Sequence, residues 1–151
     1  MRRIIIVGIV LAAALAVLIQ FVPVGAGVNP PVEVQIPWES AQTEALVRAA
    51  CLDCHSHETR WPWYSAVAPM AWGVAGHVTE GRAEMNFSAW GSYPSRKRVA
   101  LLEKMCDEVR EGRMPLKQYL WLHRDATLSE ADWKSVCDWS MEEADRLSAA
   151  R

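Results

Sequence analysis

Behind Met1-Arg2-Arg3 the chain is apolar from Ile4 to Ile19 and continues through Gln20 and Phe21 to Pro23 and Val24. About 20 apolar residues make a helix long enough to cross a bilayer. A chain of 151 residues has one small core, and a terminal run this apolar behind paired arginines does not suit its interior. Residues 1–24 are therefore expected to be a transmembrane or signal helix. The length of the run favours a retained signal anchor, and Val24-Gly25-Ala26 offers a small-residue cleavage site for the alternative, a removed signal peptide. Arg2 and Arg3 hold the N-terminus in the cytoplasm and send the remainder across. The expected location is the cell inner membrane, with the rest of the chain on the periplasmic or other extracytoplasmic side.

From Gly25 to Trp38 the sequence is rich in proline and valine, with Asn29-Pro30-Pro31 and Ile36-Pro37. Fixed proline torsions predict an extended segment without helix or sheet partners, so residues 25–39 read as a tether. The folded domain, 40–151, is expected to begin with Ser40 as N-cap of a helix carrying Ala41, Ala45, Leu46, Ala49 and Ala50 into Cys51. Pro69 is placed to open a second helix with Trp72, Val74 and Val78, ending before Gly81. Asn86, Ser88, Gly91 and Pro94 mark a loop. A third helix starts near Ser95, repeats Val99, Leu102, Met105 or Cys106, and Val109, and stops at Gly112. The last has a capping box, Ser129 to Asp132, and a stripe of Trp133, Val136, Ser140, Ala144 and Leu147. No stretch alternates as a strand does. The fold class expected is all-α, a small helical domain with long loops.

Cys51-Leu52-Asp53-Cys54-His55 carries the chemistry. Two thiols two residues apart, followed at once by an imidazole, suit one covalent haem c: the thiols add to the two vinyl groups and His55 reaches the iron. Haem c is attached after export, which agrees with the N-terminal segment. A thioredoxin-like dithiol would open a helix after a strand, where the helix dipole lowers the thiol pKa, and here the motif closes a helix instead. A zinc site recruiting Cys51, Cys54, Cys106 and Cys137 lacks the knuckle spacing of such sites in its second pair. That pair suits either a disulfide or two buried thiols.

Iron in a haem has a second axial position. Met114 is the first candidate, because it follows the helix stop at Gly112 and precedes Pro115, which stiffens the backbone presenting the thioether. His77 on the second helix is the alternative and would lower the potential; His123 is third, and His57 lies too close behind His55 to reach the opposite face. Met70, Met85 and Met105 are assigned to packing. Eight tryptophans accompany two phenylalanines, and Trp61, Trp63, Tyr64 and Trp72, clustered after the motif, are expected to wall the haem pocket. Arg60 and Arg82 are candidates for its propionates. A net charge of −2 leaves no basic excess for nucleic acid. Arg96, Lys97, Arg98 and Lys104 form a modest basic patch that suits an acidic redox partner, or simply a solvated helix face.

These residues resemble the small haem-binding-domain proteins of bacteria, which are similar to monohaem cytochromes c. The likeness rests on Cys51-Leu52-Asp53-Cys54-His55-Ser56, Glu58-Thr59, Trp61-Pro62-Trp63-Tyr64, Glu80-Gly81-Arg82, Asn86-Phe87-Ser88 with Trp90, and Gly112-Arg113-Met114-Pro115 with Tyr119 and His123. It runs from about Pro31 to Trp139. One departure is Leu116, where the family often has a second proline. The resemblance implies covalent haem on Cys51 and Cys54, His55 as axial ligand and a cytochrome c-like helical fold. Such domains also occur joined to cytochrome c or peroxidase-like modules, which implies redox work in the envelope. The expectation is a monohaem electron-transfer protein, a carrier and not an enzyme, serving a redox partner protein. The alternative is a gas or peroxide sensor, or a peroxidase-associated module, with an open or labile distal site.

Overall fold

The computed structural model describes residues 1–150. Among them the chain forms seven α-helices joined by long loops and short 3₁₀ turns, and no named strand. Helix α1 spans Arg2–Leu18 and continues as a 3₁₀ turn through Phe21. Over Arg2–Phe21 the mean hydropathy is 2.9 and none of the helix is buried in the domain. An apolar surface left wholly uncovered fits a membrane anchor or a signal helix.

Helix α2 (Ala41–Ala50) starts where expected, with the Ser40 hydroxyl accepting from the Gln42 and Thr43 N–H groups. It ends at Cys51, and a short helix α3, Leu52–His55, carries the rest of the motif. Helix α4 runs Met70–Glu84 and does not end before Gly81 as the sequence suggests. Gly81 lies inside it, buried where α4 crosses α3: a Cβ there would stand 2.6 Å from the Cys54 carbonyl oxygen. The glycine is required by a close approach and not by a stop.

Helices α5 (Ser95–Arg110) and α7 (Glu130–Ala149) pack along one another and form the body of the core. Leu102, Met105, Cys106 and Val109 face Val136, Cys137, Trp139, Ser140 and Ala144, all buried. Gly112, at φ +66°, ends the α5 segment in the left-handed region, and the reciprocal Ser129–Asp132 capping box starts α7. A short helix α6, Lys117–Leu120, lies between them; its four residues are too few for a periodic signal.

Cys106 and Cys137 are joined by a disulfide between α5 and α7. The bridge closes a sequence separation of 31 residues, so reduction is expected to lower the unfolding free energy by about 3–4 kcal/mol through the entropy of the unfolded chain. Urea denaturation with and without a thiol reductant checks this; coincident midpoints would refute it.

The proline-rich segment differs from the expected free tether. The Glu33 and Val34 N–H groups donate to the Ser88 carbonyl, and Gly91 N–H to the Val34 carbonyl. Ile36 is buried in the core and Trp38 packs on Phe87 and Trp139. Pro30, Pro31 and Pro37 do fix an extended course, but Ile36 and Trp38 bury their apolar side chains against the core while Val32 and Val34 stay exposed. The segment binds to the loop after α4, and Val28, Asn29 and the Pro31 carbonyl already hydrogen-bond to Arg82, Thr59 and His57, so contact with the domain starts at about residue 28 and not at Ser40.

Candidate functional site

The motif is held from three sides. Helix α4 presses Gly81 against the Cys54 backbone. Below it, Ser56 Oγ donates to the Leu52 carbonyl and Thr59 Oγ1 to the Asp53 carbonyl. Asp53, buried within the motif, collects four hydrogen bonds: the Arg60 backbone N–H and Nε on Oδ1, at 3.0 and 3.2 Å, and Arg60 Nη2 and the Tyr119 hydroxyl on Oδ2, at 3.0 and 2.7 Å. Sequence reading passed over Asp53. The signal available was a carboxylate between two cysteines with an arginine seven residues on.

Cys51, Cys54 and His55 open onto one cleft of about 460 Å³. Met85, Phe87, Leu101, Met105, Val109, Met114 and Leu116 supply its apolar walls, and His77 and Tyr119 also reach it. Cys51 and Cys54 are free thiols; burial, the main cause, pushes Cys51 up to about 12 and Cys54 up to about 11. Both are therefore protonated at neutral pH, unlike the lowered thiol of an oxidoreductase dithiol. The His55 pKa is lowered by burial, against the opposing pull of the Met85 and Gly81 carbonyls nearby, and the imidazole is neutral. His55 Nδ1–H donates to the Met85 carbonyl at 3.1 Å, which leaves Nε2 unprotonated and free to bind a metal.

Met114 lines the same cleft, in the segment between Gly112 and α6. Its N–H and that of Arg113 both donate to the Glu108 carbonyl at the end of α5, which folds the segment back over the cleft. His77 lies between this cleft and a second cavity of about 300 Å³, which Tyr64, Met70, His123 and Leu122 also line. His123 stacks on Tyr119, ring centroids 4.0 Å apart, and does not enter the first cleft. His57 is turned away, donating from Nδ1 to the Pro31 carbonyl and accepting at Nε2 from Asn86.

The expected aromatic wall is not formed. Trp61, Trp63 and Trp72 do not line the cleft, and Tyr64 lines only the second cavity. Trp61 donates to Asn29, Trp63 is 77% exposed and Trp72 40% exposed. On α4 it is His77, Glu80, Gly81 and Glu84, at helical spacing, that face the cleft; Trp72, five residues before His77, points about 140° round the helix. The wall is instead mostly aliphatic and thioether, with Phe87 and Tyr119 its aromatic members, drawn from α5, the loop around Met85 and the Met114–Tyr119 segment.

Neither arginine stands free at the cleft. Arg60 is taken by Asp53, and Arg82 clamps the loop after the motif, donating to the Ser56 carbonyl, Thr59 Oγ1 and Asn29 Oδ1. The basic patch on α5 is partly used as well: Lys104 pairs with Glu84 at the cleft mouth and Arg98 donates to the Tyr93 carbonyl. A four-cysteine zinc site is ruled out by the Cys106–Cys137 disulfide, and among the described residues no three His, Cys, Asp or Glu side chains converge on a metal.

Two thiols and a neutral imidazole on one side of an apolar cleft, with a thioether in the same walls, form a donor set for a flat macrocycle that carries both a metal and two thiol-reactive substituents. One comparison supports a haem as the group bound. The sequence model of a haem-binding domain matches residues 14–142. No curated protein and no solved structure matches the chain.

Proposed function

This chain belongs to the haem-binding domain family, and we propose that within it the protein is a monohaem c-type electron carrier of the cell envelope, anchored by α1. One observation carries the reading: Cys51, Cys54, His55 and Met114 line a single, mostly apolar cleft. Cys51 and Cys54 would hold the haem covalently, and His55 Nε2 and the Met114 thioether would ligate its iron, with His77 the alternative to Met114. The haem, when bound, supplies a one-electron ferric–ferrous couple.

The protein's own part is geometric. Met85 fixes the His55 tautomer through its carbonyl, and an imidazole held this way keeps its orientation in both oxidation states. The aliphatic walls exclude water, and thioether ligation raises the potential. Helix α1 holds the carrier at a membrane surface with the domain on the extracytoplasmic side, where a redox partner meets it.

Visible spectra of the protein matured with haem c test the ligand set. The ferric wild type is expected to show the weak long-wavelength band of thioether–iron coordination, and Met114→Ala to lose it, with a potential lowered by roughly 100 mV or more given the span that axial ligands control. A wild type without that band, unaffected by Met114→Ala but altered by His77→Ala, would assign the position to His77. If neither substitution changes the spectrum and carbon monoxide binds the ferrous protein directly, the distal site is open and the sensor or peroxidase-associated reading replaces the carrier.

A further inference from the structure

Among the described residues, the hydrogen bonds between the apolar helix and the folded domain are made at one place. Gln20, in the turn that ends the apolar helix, makes two hydrogen bonds to the backbone of Ala68: Oε1 accepts from the N–H at 2.9 Å and Nε2 donates to the carbonyl at 3.3 Å. Ala68 lies just before α4. A helix from Arg2 to Gln20 rises by about 28 Å, close to the thickness of the bilayer's hydrocarbon layer, so Gln20 and the Ala68 turn bonded to it come to the headgroup level.

Around that turn the domain leaves large apolar side chains in solvent. Trp63 is 77% exposed, Val67 40%, Met70 46%, Trp121 76% and Leu122 65%. Beyond Val34, the only other large hydrophobic side chains this exposed among the described residues are Trp72, on the neighbouring turn of α4, and Met141. The residues come from three segments that the fold brings together. Met70 and Leu122 line the second cavity with Tyr64; the Trp63 ring lies edge-on to Tyr64 at 5.8 Å, and Trp121 adjoins Leu122. Scattered exposed apolar residues are ordinary, but a cluster with two nearly bare indoles is not. Tryptophan is the side chain that favours the boundary between headgroups and acyl chains.

We propose that Trp63, Val67, Met70, Trp121 and Leu122 form a membrane-seated face, which holds the domain against the bilayer that α1 crosses. The proposal rests on the reading of α1 as a retained anchor. Its occupant is the lipid interface itself, and its consequence is orientation: the second cavity opens toward lipid, and the haem domain is held close to the surface and does not swing free on the few residues between Gln20 and Val28.

Spin labels on the full chain test it, in nanodiscs of phosphatidylethanolamine and phosphatidylglycerol with the haem reduced. Single variants Met70→Cys and Trp121→Cys report the face, Glu142→Cys on α7 reports the solvent side, and Leu11→Cys reports the span. Labels at 70 and 121 are expected to collide with a water-soluble nickel chelate several-fold less, and with oxygen more, than the label at 142. Labels at 70 and 121 that match 142, with 11 still lipid-exposed, would overturn the proposal and leave the anchor standing. Loss of protection at 11, or loss of residue 11 by cleavage, would overturn both. Protection from nickel at 121 without the gain in oxygen, accompanied by spin–spin broadening, would show a second copy on this face and overturn the lipid assignment.

Discussion

Gly81→Ala is expected to destabilise the domain by about 1–3 kcal/mol and to lower the yield of haem-loaded protein, although alanine is the better helix former by up to about 1 kcal/mol. The new methyl would lie 2.6 Å from the Cys54 carbonyl oxygen, 3.0 Å from its carbon and 3.1 Å from Cys54 Cβ. Backbone atoms cannot rotate aside, so either α4 or the motif helix must shift. A shift of α3 moves the Cys54 thiol and the His55 ring together, and a shift of α4 moves the Met85 carbonyl that sets the His55 tautomer. Gly81→Val should be worse in both respects. The internal control is Gly76→Ala on the same helix, where a Cβ meets nothing within 4 Å; there only the propensity term operates, and a gain of about 0.5–1 kcal/mol is expected. Urea denaturation gives the two signs, and the ratio of bound haem to protein gives the yield. If both alanines stabilise alike, α4 does not cross the motif at Gly81.

That residue also shows where sequence reading runs short. Within a local pattern, a glycine after an apolar-periodic run has the form of a helix stop, and Gly112 is one, with positive φ. Gly81 has the same local form and the opposite role, because its cause is a neighbour 27 positions away in sequence. Features set by nearby residues were legible: the Ser40 and Ser129 caps, the buried stripes of α5 and α7, the all-α class and the apolar first helix. The Cys51–His55 spacing pointed to haem for the same reason, since the signal lies in five consecutive residues, and the family match agrees that the chain binds haem. The pocket wall was not legible, because which face α4 turns toward the motif is decided by the crossing and not by its tryptophans. The packing of the proline-rich segment escaped as well, since its partner, the loop at Ser88 to Gly91, is more than 50 residues distant.

Asp53→Ala is the substitution expected to act on both halves of the cleft at once. Asp53 belongs to the motif, and its Oδ2 receives the hydroxyl of Tyr119 from α6, three residues beyond the segment Met114–Leu116. No other side chain joins the motif helix to α6 by a hydrogen bond among the described residues, so this bond fixes the thioether-bearing segment relative to Cys51, Cys54 and His55. Its surroundings are dry enough to matter: the Asp53 side chain is 10% exposed, whereas Arg60 is 61% exposed and its share must be discounted for solvent screening. Burial, followed by the hydrogen bond to Asp53, pushes the Tyr119 pKa strongly upward, so the hydroxyl is a donor throughout the working pH range. Truncation strands the Arg60 N–H and leaves that hydroxyl only the longer contact to the Ala49 carbonyl, at 3.4 Å, at a cost of about 2–3 kcal/mol. Tyr119→Phe removes one bond and leaves the carboxylate its Arg60 partners, so about 1–2 kcal/mol is expected. Because the lost contact joins the two walls, the thioether band of the ferric protein should weaken in the same order, least in the wild type and most in Asp53→Ala. A purely local role would give a different result: stability would fall in both variants while the band and the potential stayed at their wild-type values.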